Sequence, residues 1–543
     1  MASTNLDNLG LQPLEVPSWE LGINTSKPPT EIDDREVRDL LNFEFDDGGN
    51  LSTRRSITQL NANTFTGRIT SLHYFTTESG EVGILLTNLT KLYVVQTNGT
   101  GQTDLTGALT FPNDTFWQWV TFGGIAIGVN KATSGTNPVK VTTAPAAAAL
   151  GGSPPRGKYI EVWNSRVWIV NASSPNQLRA SSLGNPEDWT TTGAAGTITI
   201  DIDPNDGDLI MGLFATKETL YVFKRKRIYT VTASALPNTD PNNLRVDVFT
   251  QKIGCASAYS IQQVPNDVVF LSDQGVASLA LVQTAEDFRT AFYSRNVAEL
   301  ERFVKSTDEI PSLLCDSAAQ YWLSLPATVS LTGKENAYVL DYLKVDEQIA
   351  RWTRFDGLAA GSAFTSFLGT NGKTFVIGAK QIGTTNTYQL FTYVPRLSTA
   401  GFSDNGSAYT KAITMKSFNG GAQLLKKYFH EWAVSLNLLS ATAQLQVAYY
   451  FDGNILRGDS YTFPLMGTTT GALWGGGLWG AGLWGTTFAG QFDIVRELKS
   501  NSFGREAQDV TFNILNSQNN EGFTLQDFML WFGMKNNKKV TDV

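Results

Sequence analysis

The stretch Tyr159–Val170 reads YIEVWNSRVWIV and decides the fold class of this chain. Two short runs of β-branched and aromatic residues flank Asn164-Ser165, a pair with the length and composition of a hairpin turn. Similar units, strand-like runs separated by turn residues, follow one another from residue 67 to about residue 393. The first run of each set begins near residues 67, 116, 158, 208, 257, 312 and 362. This spacing of about 50 residues is typical of repeated sheets of three or four strands.

Small repeated sheets must bury their faces and protect their edges. A long open meander leaves unpaired edges, whereas a closed ring packs each sheet against its neighbours. We therefore predict an all-β fold with a six- or seven-bladed β-propeller over residues 63–400. A pair of β-sandwiches is the alternative that the same strands allow.

Both ends of the chain differ from this array. Residues 1–62 contain one helix-like signal, Asp34–Leu41, which follows an acidic N-cap candidate. Residues 401–543 contain longer strand-like runs that suit a β-sandwich. We expect the two ends to share one platform domain with a Gly/Trp-rich insert at residues 471–486. One amphipathic helix is predicted between blades at residues 295–304.

Composition excludes several classes of protein. Hydrophobic residues make up 42% of the 543 residues, so a disordered chain is excluded, and the low charged fraction of 17% disfavours a mostly helical one. No run of 18 apolar residues occurs, and Met1–Asp7 lacks the basic and apolar regions of a secretory signal. The net charge of −8 argues against a protein that wraps nucleic acid by neutralising phosphates.

The chain has few residues of the types that carry out nucleophilic catalysis or bind metals. Its two histidines are His73, predicted mid-strand and structural, and His430, which opens a zincin-like His-Glu pair without the second histidine. Its two cysteines, Cys255 and Cys315, form no metal-ligand pattern. Paired carboxylates that hydrolyse glycosides cannot be identified from spacing alone. We expect no catalytic residue, no metal and no cofactor.

One segment resembles a phosphate-binding loop but lacks features that such a loop needs. Gly152–Tyr159 has the P-loop spacing, but Tyr159 replaces the Ser or Thr that would bind magnesium. Pro154 and Pro155 remove amide donors, and a strand follows in place of a helix. We interpret the segment as a linker between blades.

Two charged runs leave alternatives open. Asp201–Asp208 gathers four carboxylates, which suits either a polar turn between blades or a bound Ca²⁺. Lys224, Arg225, Lys226 and Arg227 form a dense basic run at a predicted hairpin tip. That tip is either a solvated turn or a contact with an acidic neighbouring subunit or a DNA phosphate.

The most unusual feature is a five-residue tandem of Leu-Trp-Gly. It places Trp474, Trp479 and Trp484 on a glycine-rich backbone, without the strand-to-helix context of a dinucleotide site. Three indoles need burial, because monomers rarely expose such a patch. The tandem is either a loop folded over its own domain or a contact with another subunit or partner.

Three parts of the chain together resemble the tail nozzle, or tail tubular hub-type, proteins of short-tailed bacteriophages. The first is N-terminal, the second is the type of strand found in the array, and the third is the Trp tandem with the strand region after it. The matching segments are Leu21–Asn24, Pro28-Pro29, Val37–Asn42 and Asp46–Arg55; Leu220–Phe223 and Asp267–Val276; and the Leu-Trp-Gly tandem followed by Gly504–Gln508.

The resemblance implies a structural protein of the virion tail, assembled in the host cytoplasm. Such subunits form a homo-oligomeric ring, six-fold in this family, below the portal–adaptor complex and next to tail fibres or spikes. Genomic double-stranded DNA leaves through the lumen, where an acidic wall would let the duplex slide. The resemblance carries over no catalytic residue.

Two other functions remain open at this stage. A carbohydrate-binding or glycan-cleaving propeller in a receptor-binding tail component could stack sugars on Trp117, Trp119, Trp163 and Trp168. A cellular scaffold propeller could bind partners on one face, although the blades show little residue-level repetition. The ring hypothesis predicts that residues 472–486 serve assembly and not folding.

Overall fold

The computed structural model describes residues 11–534, apart from residues 47, 78–79, 97–100, 132–135, 143, 235–242, 266, 285–291, 303–308, 344–349, 369–373, 384–385, 395–400, 467–491 and 498–504. The described chain is a β-propeller joined to a two-sheet β-sandwich. No helix in this part is long and apolar enough to cross a membrane.

The propeller has seven blades, numbered here in chain order, which confirms the upper of the two predicted numbers. Blades one to four are four-stranded antiparallel sheets. Their strands are Ile69–Thr77, Gly80–Asn88, Lys91–Val95 and Gln102–Asp104; Trp117–Phe122, Ile125–Asn130, Val139–Val141 and Ala147–Ala149; Gly157–Trp163, Arg166–Asn171, Gln177–Ala180 and Ile198–Asp201; and Ile210–Ala215, Thr219–Lys224, Ile228–Ala233 and Leu244–Thr250.

Blades five to seven vary this plan. Blade five has three strands followed by a short helix, blade six has four strands, and blade seven has three strands of its own. These strands are Gln262–Val264, Asp267–Ser272 and Gly275–Ser278 with helix Leu279–Thr284; Ser312–Cys315, Gln320–Leu325, Asn336–Asp341 and Arg351–Phe355; and Ala363–Leu368, Thr374–Ile382 and Thr387–Tyr393. The helix predicted at residues 295–304 is present over Ala298–Arg302, and short 3₁₀ turns occupy Ala258–Ser260, Asp316–Ala318 and Gly357–Ala359.

Apolar layers between consecutive blades hold the ring together. Separate buried clusters lie between blades one and two, two and three, three and four, four and five, five and six, and six and seven. A further cluster, which includes Ile69 and Ile377, packs blade seven on blade one. The alternating runs of the sequence supply these layers, because every second side chain of a strand faces the same neighbour.

A strand from the N-terminal segment closes the ring. Ile57–Gln59 pairs antiparallel with the last strand of blade seven, and Phe65–Thr66 pairs with the beginning of that same strand. Blade seven is therefore completed by residues that precede blade one. The chain enters the propeller at Ile57, ahead of the boundary predicted between residues 62 and 63.

The sandwich is built from both ends of the chain. One sheet contains Gln12–Val16, Phe43–Phe45, Leu51–Thr53, Lys427–Leu438, Phe492–Glu497, Arg505–Ala507 and Phe523–Met534. The facing strands are Gly22–Ile23, Glu36–Leu41, Lys411–Phe418, Thr442–Phe451, Asn454–Met466 and Val510–Asn516. Residues from the two sheets share one buried core.

The sandwich and blade six form one continuous sheet. Glu36–Leu41 lies beside the last strand of blade six through the parallel bridge between Leu41 and Arg354. The Arg354 guanidinium also donates to the Asp39 carboxylate at 2.6 Å. Because the sandwich core extends into blades five and six, the propeller is packed directly on the sandwich and not merely tethered to it.

The helix predicted at Asp34–Leu41 is wrong, since Glu36–Leu41 is a strand. Val37 pairs with Met415 and Leu40 pairs with Ile413, with a register shift between them. This bulge places Val37 and Leu40 on the same buried face although they are three residues apart. A three-residue apolar spacing normally indicates a helix, and here a bulged strand produces it.

Candidate functional site

The two charged runs of the sequence meet each other in blade four. Lys224 is fully buried, and its Nζ lies 2.9 and 2.8 Å from the two carboxylate oxygens of Asp206, which is 1% exposed. The same Nζ donates to the backbone oxygen of Asp203 at 2.9 Å. The prediction that Lys224 belongs to a solvated or partner-binding tip is therefore wrong. The acidic loop folds over this lysine and encloses it within the chain.

The hydroxyl of Tyr229 completes this pocket. It lies 3.0 Å from a carboxylate oxygen of Asp203 and 3.0 Å from one of Asp206. Burial and these carboxylates raise the pKa of Tyr229 to about 12, so its hydroxyl stays protonated and can donate. Burial alone would raise the pKa of Asp206, but the hydrogen bonds from Lys224 and its other donors outweigh burial and lower it.

The rest of the basic run is divided between ion pairs and solvent, and Arg227 lies 3.4 Å from the Asp206 carboxylate. Arg225 donates two hydrogen bonds to Asp273 of blade five, at 2.8 and 3.1 Å, and so ties two neighbouring blades together. The backbone N–H of Lys226 donates to Asp208 at 2.7 Å while its side chain is exposed. Of the three basic residues predicted to make contacts, Lys226 thus offers the most accessible charge.

The predicted Ca²⁺ alternative for Asp201–Asp208 finds no support in this geometry. Among the described residues, no group of three or more His, Cys, Asp or Glu side chains is arranged to hold a metal ion. Asp206 is instead paired with the chain's own Lys224, and Asp208 accepts hydrogen bonds from three backbone N–H groups. The ammonium group of Lys224 occupies the position beside Asp206 that a metal cation would have to occupy.

The three predicted contact residues Trp474, Trp479 and Trp484 lie outside the described residues. The strands on either side of their insert are described, and each lies at the edge of its sheet. Met466 pairs with Thr442, and Phe492 pairs with Asn437. The strands on either side of the insert therefore end and begin beside the same turn, the one that joins Lys427–Leu438 to Thr442–Phe451.

His73 faces the centre of the propeller, where it lines a cavity of about 190 Å³ with residues from blades one, two, five, six and seven. Its Nε2 lies 3.1 Å from the Oγ1 of Thr121 in blade two. Burial lowers the pKa of His73 to about 4, so the imidazole is neutral at pH 7. The hydrogen bond between His73 and Thr121 links blades one and two, as a structural role for His73 requires.

Aromatic rings close the propeller centre at one level. Phe116, which precedes blade two, and Tyr259, which precedes blade five, have ring centroids 5.0 Å apart. The guanidinium of Arg68 lies 4.8 Å from the Phe116 ring and donates to Glu309 at 3.0 Å. Blades that are not neighbours in the ring thus touch across its middle, so the propeller interior is not a duplex-wide passage.

The remaining sequence candidates lie in strands or in buried positions. Tyr159 is buried in the first strand of blade three, and that strand, not a helix, follows the P-loop-like segment. His430 lies within the sandwich strand Lys427–Leu438. The thiols of Cys255 and Cys315 are buried, and burial raises their pKa values to about 12 and about 11, which leaves them unreactive at neutral pH.

The aromatics suggested for sugar stacking are also buried. Trp117 and Trp119 pack between blades one and two, and Trp163 and Trp168 pack between blades three and four. None of the four is more than 8% exposed. These rings belong to the layers that hold the blades together, so they offer no platform for a glycan.

Comparisons with known proteins identify no family for this chain. No protein-family model matches the sequence, and no curated protein matches it. BamB from Moraxella catarrhalis is similar over 65% of this chain and 96% of its own, with 10% identity and a TM-score of 0.33. The Neurospora crassa Pan2 WD40 domain is similar over 62% and 96%, with 9% identity and a TM-score of 0.36.

An exo-beta-1,3-galactanase from Phanerochaete chrysosporium is similar over 86% of this chain and 100% of its own, with 9% identity and a TM-score of 0.25. Structural similarities with identities and TM-scores this low support no conclusion about function. The seven-bladed assignment rests on the strand pairing within this chain.

Proposed function

We propose that this chain is a structural subunit of a bacteriophage tail that forms a homo-oligomeric nozzle ring, six-fold in the family it resembles. In this proposal the ring sits below the portal–adaptor complex, contacts tail fibres or spikes, and lets genomic DNA leave through its lumen. The protein is a component of the virion, assembled in the host cytoplasm, and performs no catalysis.

One architectural observation carries the proposal. The propeller is inserted between two chain ends that fold together into one sandwich, and blade six continues into a sheet of that sandwich. This arrangement agrees with the prediction, made from the two ends of the chain, that both ends share one platform domain. A subunit of a passage needs a rigid connection between its domains, and the shared core of the sandwich with blades five and six supplies one.

The propeller centre also bears on the route of the DNA. Because Phe116 and Tyr259 meet across it, we assign the passage to a lumen between subunits and not to the interior of each propeller. The net charge of −8 supports a wall that repels the duplex. The buried pairing of Lys224 with Asp206 removes part of the basic run from any DNA contact.

Electron microscopy and mass photometry of the purified chain, alone and with the adaptor complex of the virion, test the proposal. We expect the chain to form closed rings with a central lumen, either alone or in the presence of the adaptor complex. A chain that stays monomeric under both conditions and does not bind the adaptor complex would contradict the proposed function.

A further inference from the structure

The three most exposed large apolar side chains of the described residues lie at one end of the sandwich. Leu456 is 90% exposed, Leu424 is 85% exposed and Ile455 is 77% exposed, while Leu425 next to them is 51% exposed. We call these four residues the apolar tips. Ile455 and Leu456 follow the hairpin turn before Asn454–Met466, and Leu424 and Leu425 lie in the loop between Lys411–Phe418 and Lys427–Leu438.

Hydrogen bonds bring these two turns to the same place. Lys427 directly follows the loop of Leu424, and its Nζ donates to the backbone oxygen of Gln508 at 2.9 Å. The backbone N–H of Gln508 donates to Asp452, in the other turn, at 2.7 Å. Both turns are therefore anchored on the segment around Gln508, so the apolar tips lie at the same end of the sandwich.

The tips are held in place. Asp452 forms an ion pair with Arg457 across the hairpin turn, and Lys427 also donates to the backbone oxygen of Ala422 across the base of the loop. A preordered surface loses little conformational entropy when it binds. Exposed apolar residues of this size that are fixed in position mark an interaction site.

An apolar groove lies at the opposite end of the same sandwich strand. Leu424 and Leu425 follow the end of Lys411–Phe418, whereas Ala408, Tyr409 and Thr410 precede its start. With residues of blades six and seven, these line a groove of about 420 Å³, called here the junction groove. Leu358 and Ile382 supply aliphatic surface to it, and both are partly exposed.

Charge distinguishes the two surfaces. Lys426, which follows Leu425, is an exposed cation, whereas Arg457, which follows Leu456, is already paired with Asp452. The charged residues that line the junction groove are Asp356 and Asp404. Asp404 is neutralised by Arg54, whereas Asp356 is hydrogen-bonded to the amide of Asn42. Asp356 also interacts electrostatically with Arg54 and Arg354. It is partly exposed, so it is the groove carboxylate that can face Lys426 of the next copy.

We propose that the apolar tips of one copy of this chain dock into the junction groove of the next copy. A head-to-tail ring uses two different surfaces on each subunit, and the tips and the groove are two such surfaces. The balanced mixture of Asp452, Glu506, Arg457 and Arg505 around the tips does not suit an anionic membrane surface, which favours clustered basic residues. The inference rests on the proposed ring and names the contact that closes it.

The test uses the full-length chain with the double substitution Ile455→Ser and Leu456→Ser. Its matched control replaces Leu331 and Leu343, which are 55% and 52% exposed elsewhere on the propeller, by serine. Mass photometry across a concentration series gives the stoichiometry, and thermal melting checks the fold. We expect the tip variant to melt like the natural sequence but to need at least ten-fold more protein for ring formation, while the control assembles normally.

A cysteine pair tests the groove. Leu456→Cys combined with Leu358→Cys should give disulfide-linked oligomers larger than dimers on mild oxidation, whereas either substitution alone can link at most two chains, because Cys255 and Cys315 are buried. A tip variant that assembles like the natural sequence, or an absence of cross-linking in assembled rings, would overturn the tip–groove contact and leave the ring proposal standing. A natural sequence that forms no ring, alone or with the adaptor complex, would overturn both.

Discussion

Arg54 and Asp404 are joined by two hydrogen bonds of 2.7 Å although 350 positions separate them in the chain. The Arg54 side chain is fully buried, that of Asp404 is 9% exposed, and the guanidinium lies 3.9 Å from the centre of the Tyr409 ring. Arg54 precedes the strand through which the chain enters the propeller, and Asp404 follows the strand through which it leaves. This ion pair fastens together the two crossings between propeller and sandwich.

Replacing Asp404 by Asn should destabilise the protein strongly, because it leaves the buried Arg54 charge without its partner. We expect a loss of about 3–5 kcal/mol in the free energy of unfolding, measured by chemical denaturation. Asp34→Asn is the matched control, since Asp34 pairs with Lys416 but is 48% exposed. It should change stability by less than about 1 kcal/mol, and equal effects at both sites would contradict the assigned role of the pair.

Lys224→Met and Lys226→Met should differ although the two residues are neighbours in one basic run. The first substitution leaves the carboxylate of Asp206 buried without its ammonium partner, which should cost about 3 kcal/mol in unfolding free energy. The second changes an exposed side chain and should cost less than about 0.5 kcal/mol. Denaturation curves of the two variants decide between this arrangement and a hairpin tip that is solvated throughout.

Glu161→Gln should stabilise the protein at alkaline pH. Burial of Glu161 on the first strand of blade three raises its pKa to about 7, and the hydrogen bond from the N–H of Val162 only partly offsets this. A folded-state pKa above the unfolded value means that stability is lost as the pH rises from about 4.5 through 7. The variant should therefore melt at a higher temperature than the natural sequence at pH 8.

The difference made by Glu161→Gln should disappear near pH 4, where the carboxyl is neutral in the folded chain. Glu218→Gln is the control, because Glu218 is an exposed glutamate of the neighbouring blade four. It should leave the pH profile of the melting temperature unchanged. If the two variants gave parallel profiles, the carboxylate of Glu161 would not be desolvated as described.

Deleting residues 472–486 should spare the fold and impair assembly. The strands on either side of the insert end and begin beside one turn, as the pairs Met466–Thr442 and Phe492–Asn437 show, so its removal leaves the paired strands in place. We expect an unchanged melting temperature and a loss of rings in mass photometry. Normal rings or tails built from the shortened chain would exclude an assembly role for the three tryptophans.

Local sequence patterns were enough to predict the blades. The blade starts predicted near residues 67, 158 and 312 correspond to strands that begin at Ile69, Gly157 and Ser312. Turn residues such as Asn164-Ser165, both with positive φ, act locally and can be recognised without the rest of the fold. The helix predicted at Asp34–Leu41 failed because the bulge between Val37 and Asp39 depends on the neighbouring strand.

The charged candidates were harder to interpret from the sequence. Lys224 and Asp206 were both singled out, but their pairing required the loop before blade four to fold back over the hairpin. A charge run has the same composition whether it faces water or a carboxylate of its own chain. The apolar tips had no sequence signal either, because Ile455-Leu456 resembles any strand start until its exposure is known.

By itself, the sequence determined that this chain is an array of short antiparallel hairpins between two different ends, with few residues suited to catalysis. Those properties depend on turn chemistry and on alternation within a few residues. Only the tertiary structure decided that Ile57–Gln59 completes blade seven, that Arg54 meets Asp404, and that Lys224 is buried. The physical reason is that each of these contacts joins segments whose separation in space is set by closure of the ring and by the shared sandwich core, which no local pattern encodes.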